Sequence, residues 1–89
     1  MEIAQQRFEN FKRFMSTIPG IDSVYIALLN QYSLPLFLQN FKQCENLTID
    51  EIVTNLCTKA HVNIPDVDKG TKDKFKRYIE YFQDIAKTV

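Results

Sequence analysis

TIDEIVTNLCTKA, from Thr48 to Ala60, is the stretch whose reading decides the fold. Thr48-Ile49-Asp50-Glu51 matches a capping box. In that motif the Thr48 hydroxyl takes the backbone N–H of Glu51, and the Glu51 carboxylate reaches back to the N–H of Thr48. Leu47 stands just before it, where the outer half of a hydrophobic staple belongs. Ile49, Ile52, Val53, Leu56, Cys57 and Ala60 then recur at the spacing of one helical face. The segment is therefore expected to be an amphipathic helix that cannot stand alone in water.

Working upstream, the same pattern repeats. Ser33 can cap a helix with Pro35 in its first turn, where a missing N–H does no harm. Leu34, Phe37, Leu38, Phe41 and Cys44 line one side of it, with Leu36 adjoining. Before it, Asp22 is placed to cap a helix whose apolar positions are Val24, Tyr25, Leu28, Leu29 and Tyr32, so a sharp corner is expected near Ser33. At the start, Ala4, Phe8, Phe11, Met15 and Ile18 recur at steps of four and three, widened by Ile3 and Phe14. This predicts a helix over 2–17, which Pro19-Gly20 stops.

Downstream, the segment from His61 to Gly70 looks least regular, with Pro65 and two aspartates. Val62, Ile64 and Val67 are expected to tether it. Thr71 is read as the cap of a last helix running to the end, with Lys69 in the loop before it. Phe75, Tyr78, Ile79, Phe82, Ile85, Ala86 and Val89 form its apolar face. No stop signal closes that helix, which fits either a fraying end or a domain excised from a longer protein.

These readings give an all-α fold class: a compact orthogonal bundle of about five short helices, with residues 1–89 as a single helical domain. The middle helices are too short to run alongside the first and last as a long four-helix bundle requires. At 10.5 kDa, surface scaling gives roughly 5,400 Å² for the folded form, enough for one core.

Eleven basic and eleven acidic side chains cancel, which argues against a nucleic-acid sponge or a polybasic membrane anchor. Cys44 and Cys57 fall on apolar faces and are expected to be buried free thiols of a reducing compartment, the cytoplasm or nucleus. The first residues are too polar for a signal peptide. Asn46-Leu47-Thr48 fits a glycosylation acceptor, which matters only in a secreted chain. The apolar runs are too short to span a membrane.

Little here points to catalysis, a cofactor or a metal, so the chain is expected not to be an enzyme. Cys57 and His61, four apart, could in principle form an activated thiol. The plainer reading buries Cys57 and lets His61 end its helix near the carbonyl groups. Zinc held by Cys44, Cys57 and His61 would need a fourth ligand and an unusual spacing. Glu80 with Asp84 reads as solvent-facing charge, and Asp66-Val67-Asp68-Lys69-Gly70 lacks the glutamate of a calcium loop.

A small helical chain of this kind is expected to work through its surface, as a non-catalytic protein–protein interaction or assembly module that binds another protein or itself. Aromatic anchors carry interface energy. Seven phenylalanines and four tyrosines exceed what a small core must hold, so Tyr25, Tyr32 and Tyr81, with Phe14, are the candidate contacts. The alternative is RNA or DNA backbone binding through Lys69, Lys72, Lys74, Lys76 and Arg77, or an acidic partner at the same place.

The element order, with Gly70-Thr71-Lys72-Asp73-Lys74 as a glycine-x-basic-x-lysine segment opening a long last helix, resembles a sterile alpha motif domain. The likeness is one of shape over most of the chain. The phenylalanine-rich start and the longer segment from His61 to Asp68 depart from that pattern. The resemblance implies self-association or partner binding, and for some members RNA-hairpin binding, which would place Lys72, Lys74 and Lys76 at the contact.

Overall fold

Polar caps divide the chain into its elements. The computed structural model describes residues 2–63 and 67–88. Among them are five helices, α1 (Glu2–Ser16), α2 (Ser23–Gln31), α3 (Leu34–Lys42), α4 (Ile49–Lys59) and α5 (Lys69–Ala86), with no strand. Asp22 accepts from the Val24 N–H at 2.9 Å and opens α2. Ser33 accepts from the Leu36 N–H at 3.4 Å and opens α3, with Pro35 in the first turn. Tyr32 and Ser33 both take extended backbone angles, so the two helices are broken from each other within two residues.

The capping box of α4 is complete. The Glu51 N–H donates to Thr48 Oγ1 at 3.1 Å, and the Thr48 N–H donates to Glu51 Oε1 at 3.1 Å. Thr48→Ala removes the side-chain acceptor for one helix-end donor and is expected to cost about 1 kcal/mol. Chemical denaturation against the parent chain checks it.

One expected cap is wrong. Asp68, and not Thr71, opens α5: its carboxylate accepts from the Thr71 N–H at 2.6 Å. Aspartate is the better cap, and its charge suits the positive helix end. The helix therefore begins three residues early, and Lys69 lies in its first turn, not in a loop. Ile64, in the expected tether, Pro65 and Asp66 beside it, and Val89, at the end of the expected last stripe, lie outside the described residues. Val62 is buried and Val67 packs against the core.

α4 closes on a left-handed residue. His61 has φ 57°, the one positive-φ residue other than glycine among the described residues. The Val62 N–H donates to the Cys57 carbonyl at 2.9 Å and the His61 N–H to the Thr58 carbonyl at 3.2 Å. This is a Schellman motif with histidine where glycine is usual, and buried Val62 and Cys57 supply its apolar contact. The Asp22 N–H donates to the Ala60 carbonyl at 2.9 Å, and His61 Nδ1 lies 2.8 Å from Asp22 Oδ2. The end of α4 is thus joined to the start of α2.

All five helices feed one core, and all seven phenylalanines lie in it. Phe82 of α5 is its hub, with ring centroids 5.2–6.5 Å from Phe8, Phe11, Phe37, Phe41, Tyr78 and Tyr81. Phe14, expected at a surface contact, packs against Phe75 and Tyr78. The radius of gyration, 12.3 Å, is what a compact chain of this length gives. No buried polar side-chain atom among the described residues lacks a hydrogen-bond partner.

Asp22 and Asp68 make stability pH-dependent. Hydrogen bonding to the Val24 N–H, then to His61, holds the Asp22 carboxyl below its ordinary range. Hydrogen bonds to Thr71 do the same for Asp68. The unfolded chain then binds protons more readily than the folded one, so stability is kept above about pH 4 and lost as pH falls below it. Thermal melts from pH 7 to pH 2 are expected to show that fall. Asp22→Asn and Asp68→Asn should each make it shallower.

Candidate functional site

α2 is too apolar for the contacts it makes. Only Leu29 is fully buried, with Tyr25 and Ile26 half-buried behind it. Val24 and Leu28, expected on the buried face, are 64% and 53% exposed. With Ala27 and Gln31, also exposed, they form a second stripe at i, i+3, i+4 and i+7 on the opposite side of the helix. Tyr32, 38% exposed, follows at the helix end, and Leu36, 45% exposed, lies in the first turn of α3. Ile3 also departs from expectation, at 71% exposed, but it stands apart in sequence on α1.

The composition of this corner is unusual for the chain. A quarter of the residues are charged overall, yet from Ser23 to Phe41 there is not one Asp, Glu, Lys, Arg or His. Four of the five large apolar side chains exposed among the described residues fall in that stretch. Scattered exposed leucines need no explanation, but concentrated ones do.

Behind the corner, α2, α3 and α4 leave a cleft of about 420 Å³. Tyr25, Tyr32, Phe41, Cys44 and Leu56 are among its walls. Two of the tyrosines expected at a contact therefore meet here. Burial pushes the Tyr25 hydroxyl up to about 12, with smaller contributions from Tyr32 and Cys57, so it stays a donor at neutral pH. Cys44 is half-buried, not buried as expected, and Cys57 is buried; both are free thiols. Burial raises the Cys57 thiol above its ordinary range, which disfavours the thiolate a nucleophile needs.

Tyr81 lies elsewhere. It is half-buried on α5, edge-on to Phe82 at 5.5 Å, with the Arg7 guanidinium 4.5 Å from its ring centre. The extra aromatics inferred from composition are mostly absorbed by the core, so aromatic count was a poor guide to the surface.

The basic segment divides between two faces. Lys69, Lys72 and Lys76 follow one side of α5, where Lys76 pairs with Asp50 of α4 at 2.8 Å. That partner raises the Lys76 pKa. Lys74 and Arg77 lie on the other side and line an open groove of about 660 Å³ with Arg7 and Asn10 of α1. Lys74 Nζ sits 5.4 Å from the Phe14 ring centre. The five basic residues therefore do not act as one surface, and Arg7 joins two of them. Among the described residues no group of three or more metal-binding side chains converges, and no helix is long and apolar enough to cross a membrane.

Val24, Ala27, Leu28 and Leu36 were missed as surface residues, although the charge-free run was there to be read. Compared with protein-family models, curated proteins and solved structures, the chain finds no match, so the likeness to sterile alpha motif domains rests on element order and the Gly70–Lys74 segment alone.

Proposed function

We propose that this chain is a non-catalytic protein-interaction module that docks through the uncharged corner of α2 and α3. The observation that carries the reading is the outward stripe of Val24, Ala27 and Leu28, followed in sequence by exposed Tyr32 and Leu36, within a stretch that holds no charge. Burying one such leucine or valine side chain gains about 1.5–3 kcal/mol, so leaving several in water favours a partner that covers them. Two free thiols suit a reducing compartment such as the cytoplasm or nucleus.

A photo-crosslinking amino acid at position 28 tests this in the host cell. Protein adducts are expected from position 28 and not from position 54, an exposed threonine on α4. Equal yields from both positions would defeat the reading.

A second reading, contact with an RNA or DNA backbone, draws on the meeting of Arg7 with Lys74 and Arg77 in one groove. It requires saturable oligonucleotide binding at low salt that weakens steeply as salt rises. It also requires loss of that binding in Lys74→Glu with Arg77→Glu. On the docking reading, neither is seen.

A further inference from the structure

We propose that the occupant of the α2 stripe is a second copy of this chain, with two α2 helices packed about a two-fold axis. This rests on the docking reading above and names its partner.

The charge pattern is the first support. Across a two-fold axis, residues near the axis meet their own kind. On a surface as charged as the rest of this protein, such a contact sets Lys against Lys or Glu against Glu, which repel. From Ser23 to Phe41 no side chain can do so. The polar residues of the stretch are amides and hydroxyls, among them Asn30 and Gln31, which are exposed. Each carries both donor and acceptor groups, so each can bond a copy of itself. A partner of a different sequence is commonly selected by opposite charge, and this surface offers none.

Shape and area supply the second. Ala27 lies between Val24 and Leu28 on the exposed side. A small residue there lets two helix axes approach to about 8 Å, the lower end of helix packing distances. Val24, Leu28, Tyr32 and Leu36 leave on the order of 400 Å² of apolar surface open per copy, within the range of the largest patches on monomers. With the polar surface around them, two copies would cover roughly 1,000–1,200 Å², the low end of specific interfaces. A contact of that size belongs to the weak, transient class, so association is expected only at high protein concentration.

Sedimentation of the full chain from low micromolar to millimolar concentration tests this. The average mass is expected to rise from 10.5 kDa toward twice that value. The rise should be little changed between 0.05 and 0.5 M salt, because no ion pair holds the contact. Leu28→Asp should stay monomeric throughout while still folding cooperatively, with a melting temperature lowered by no more than about 10 °C, since about half of its side chain lies in water in the monomer. Ile3→Asp, at an exposed apolar residue outside the stretch, should dimerise as the parent does.

Leu28→Lys alone should also be monomeric, and mixing it with Leu28→Asp should restore association, because opposite charges then meet at the axis. A mixture that stays monomeric overturns the two-fold arrangement. A parent chain that is monomeric at millimolar concentration overturns the second copy as occupant. If position 28 still crosslinks to other proteins in that case, the docking reading stands without it. If both experiments fail, both readings fall.

Discussion

Phe82→Ala is expected to remove a large share of the stability of this protein. Six aromatic rings, two each from α1, α3 and α5 itself, converge on Phe82, which is fully buried. Truncating such a phenylalanine typically costs about 3–5 kcal/mol, transfer and cavity together. A domain of this length has only about 4–13 kcal/mol to lose. The melting temperature should fall by roughly 12–40 °C. Phe82→Leu keeps most of the volume and should cost only about 1–1.5 kcal/mol. Equilibrium denaturation of the two variants separates loss of packing from loss of aromatic edge contacts. Equal costs would mean that ring geometry, and not filled volume, holds the core.

The second large effect comes from adding atoms. Ala60 ends α4 with no exposed surface, and the Asp22 N–H donates to its carbonyl. The chain entering α2 therefore passes directly over this residue. Ala60→Leu has no free space to occupy and must push that crossing apart, at about 1–3 kcal/mol. Hydrogen exchange should then show faster opening of the amides at Asp22 and Val62 than in the core of α5. If the variant is as stable as the parent, the joint between α2 and α4 is looser than its hydrogen bonds indicate.

Local chemistry was legible in the sequence wherever one residue type has one use. The caps at Asp22, Ser33 and Thr48 were read correctly, because a side-chain oxygen before an apolar stripe leaves little choice. At the start of α5, two residues able to cap stand three apart, and the helix uses the stronger, Asp68, in place of the expected Thr71. Phase was harder. An amphipathic helix such as α1 declares its buried side, whereas α2 is apolar on both, so only its neighbours decide that Leu29 goes inward and Leu28 outward. The same limit governed the site. Tyr25 and Tyr32 are close in sequence and share the cleft, but the grouping of Arg7 with Lys74 and Arg77 depends on how α1 meets α5. The helical phase of α5 itself parts Lys74 and Arg77 from Lys72 and Lys76, which a linear reading joins.

The pairing of Phe11 and Phe14 on α1 with Phe75 on α5 has a consequence for biosynthesis. A ribosome adds roughly 5–20 residues per second, so α1 waits several seconds before its chief partner is made. During that interval its phenylalanines have only α2 and the rings of α3 to shelter them. A nascent chain halted before α5 should therefore be bound by holdase chaperones, and release should coincide with the emergence of Phe82.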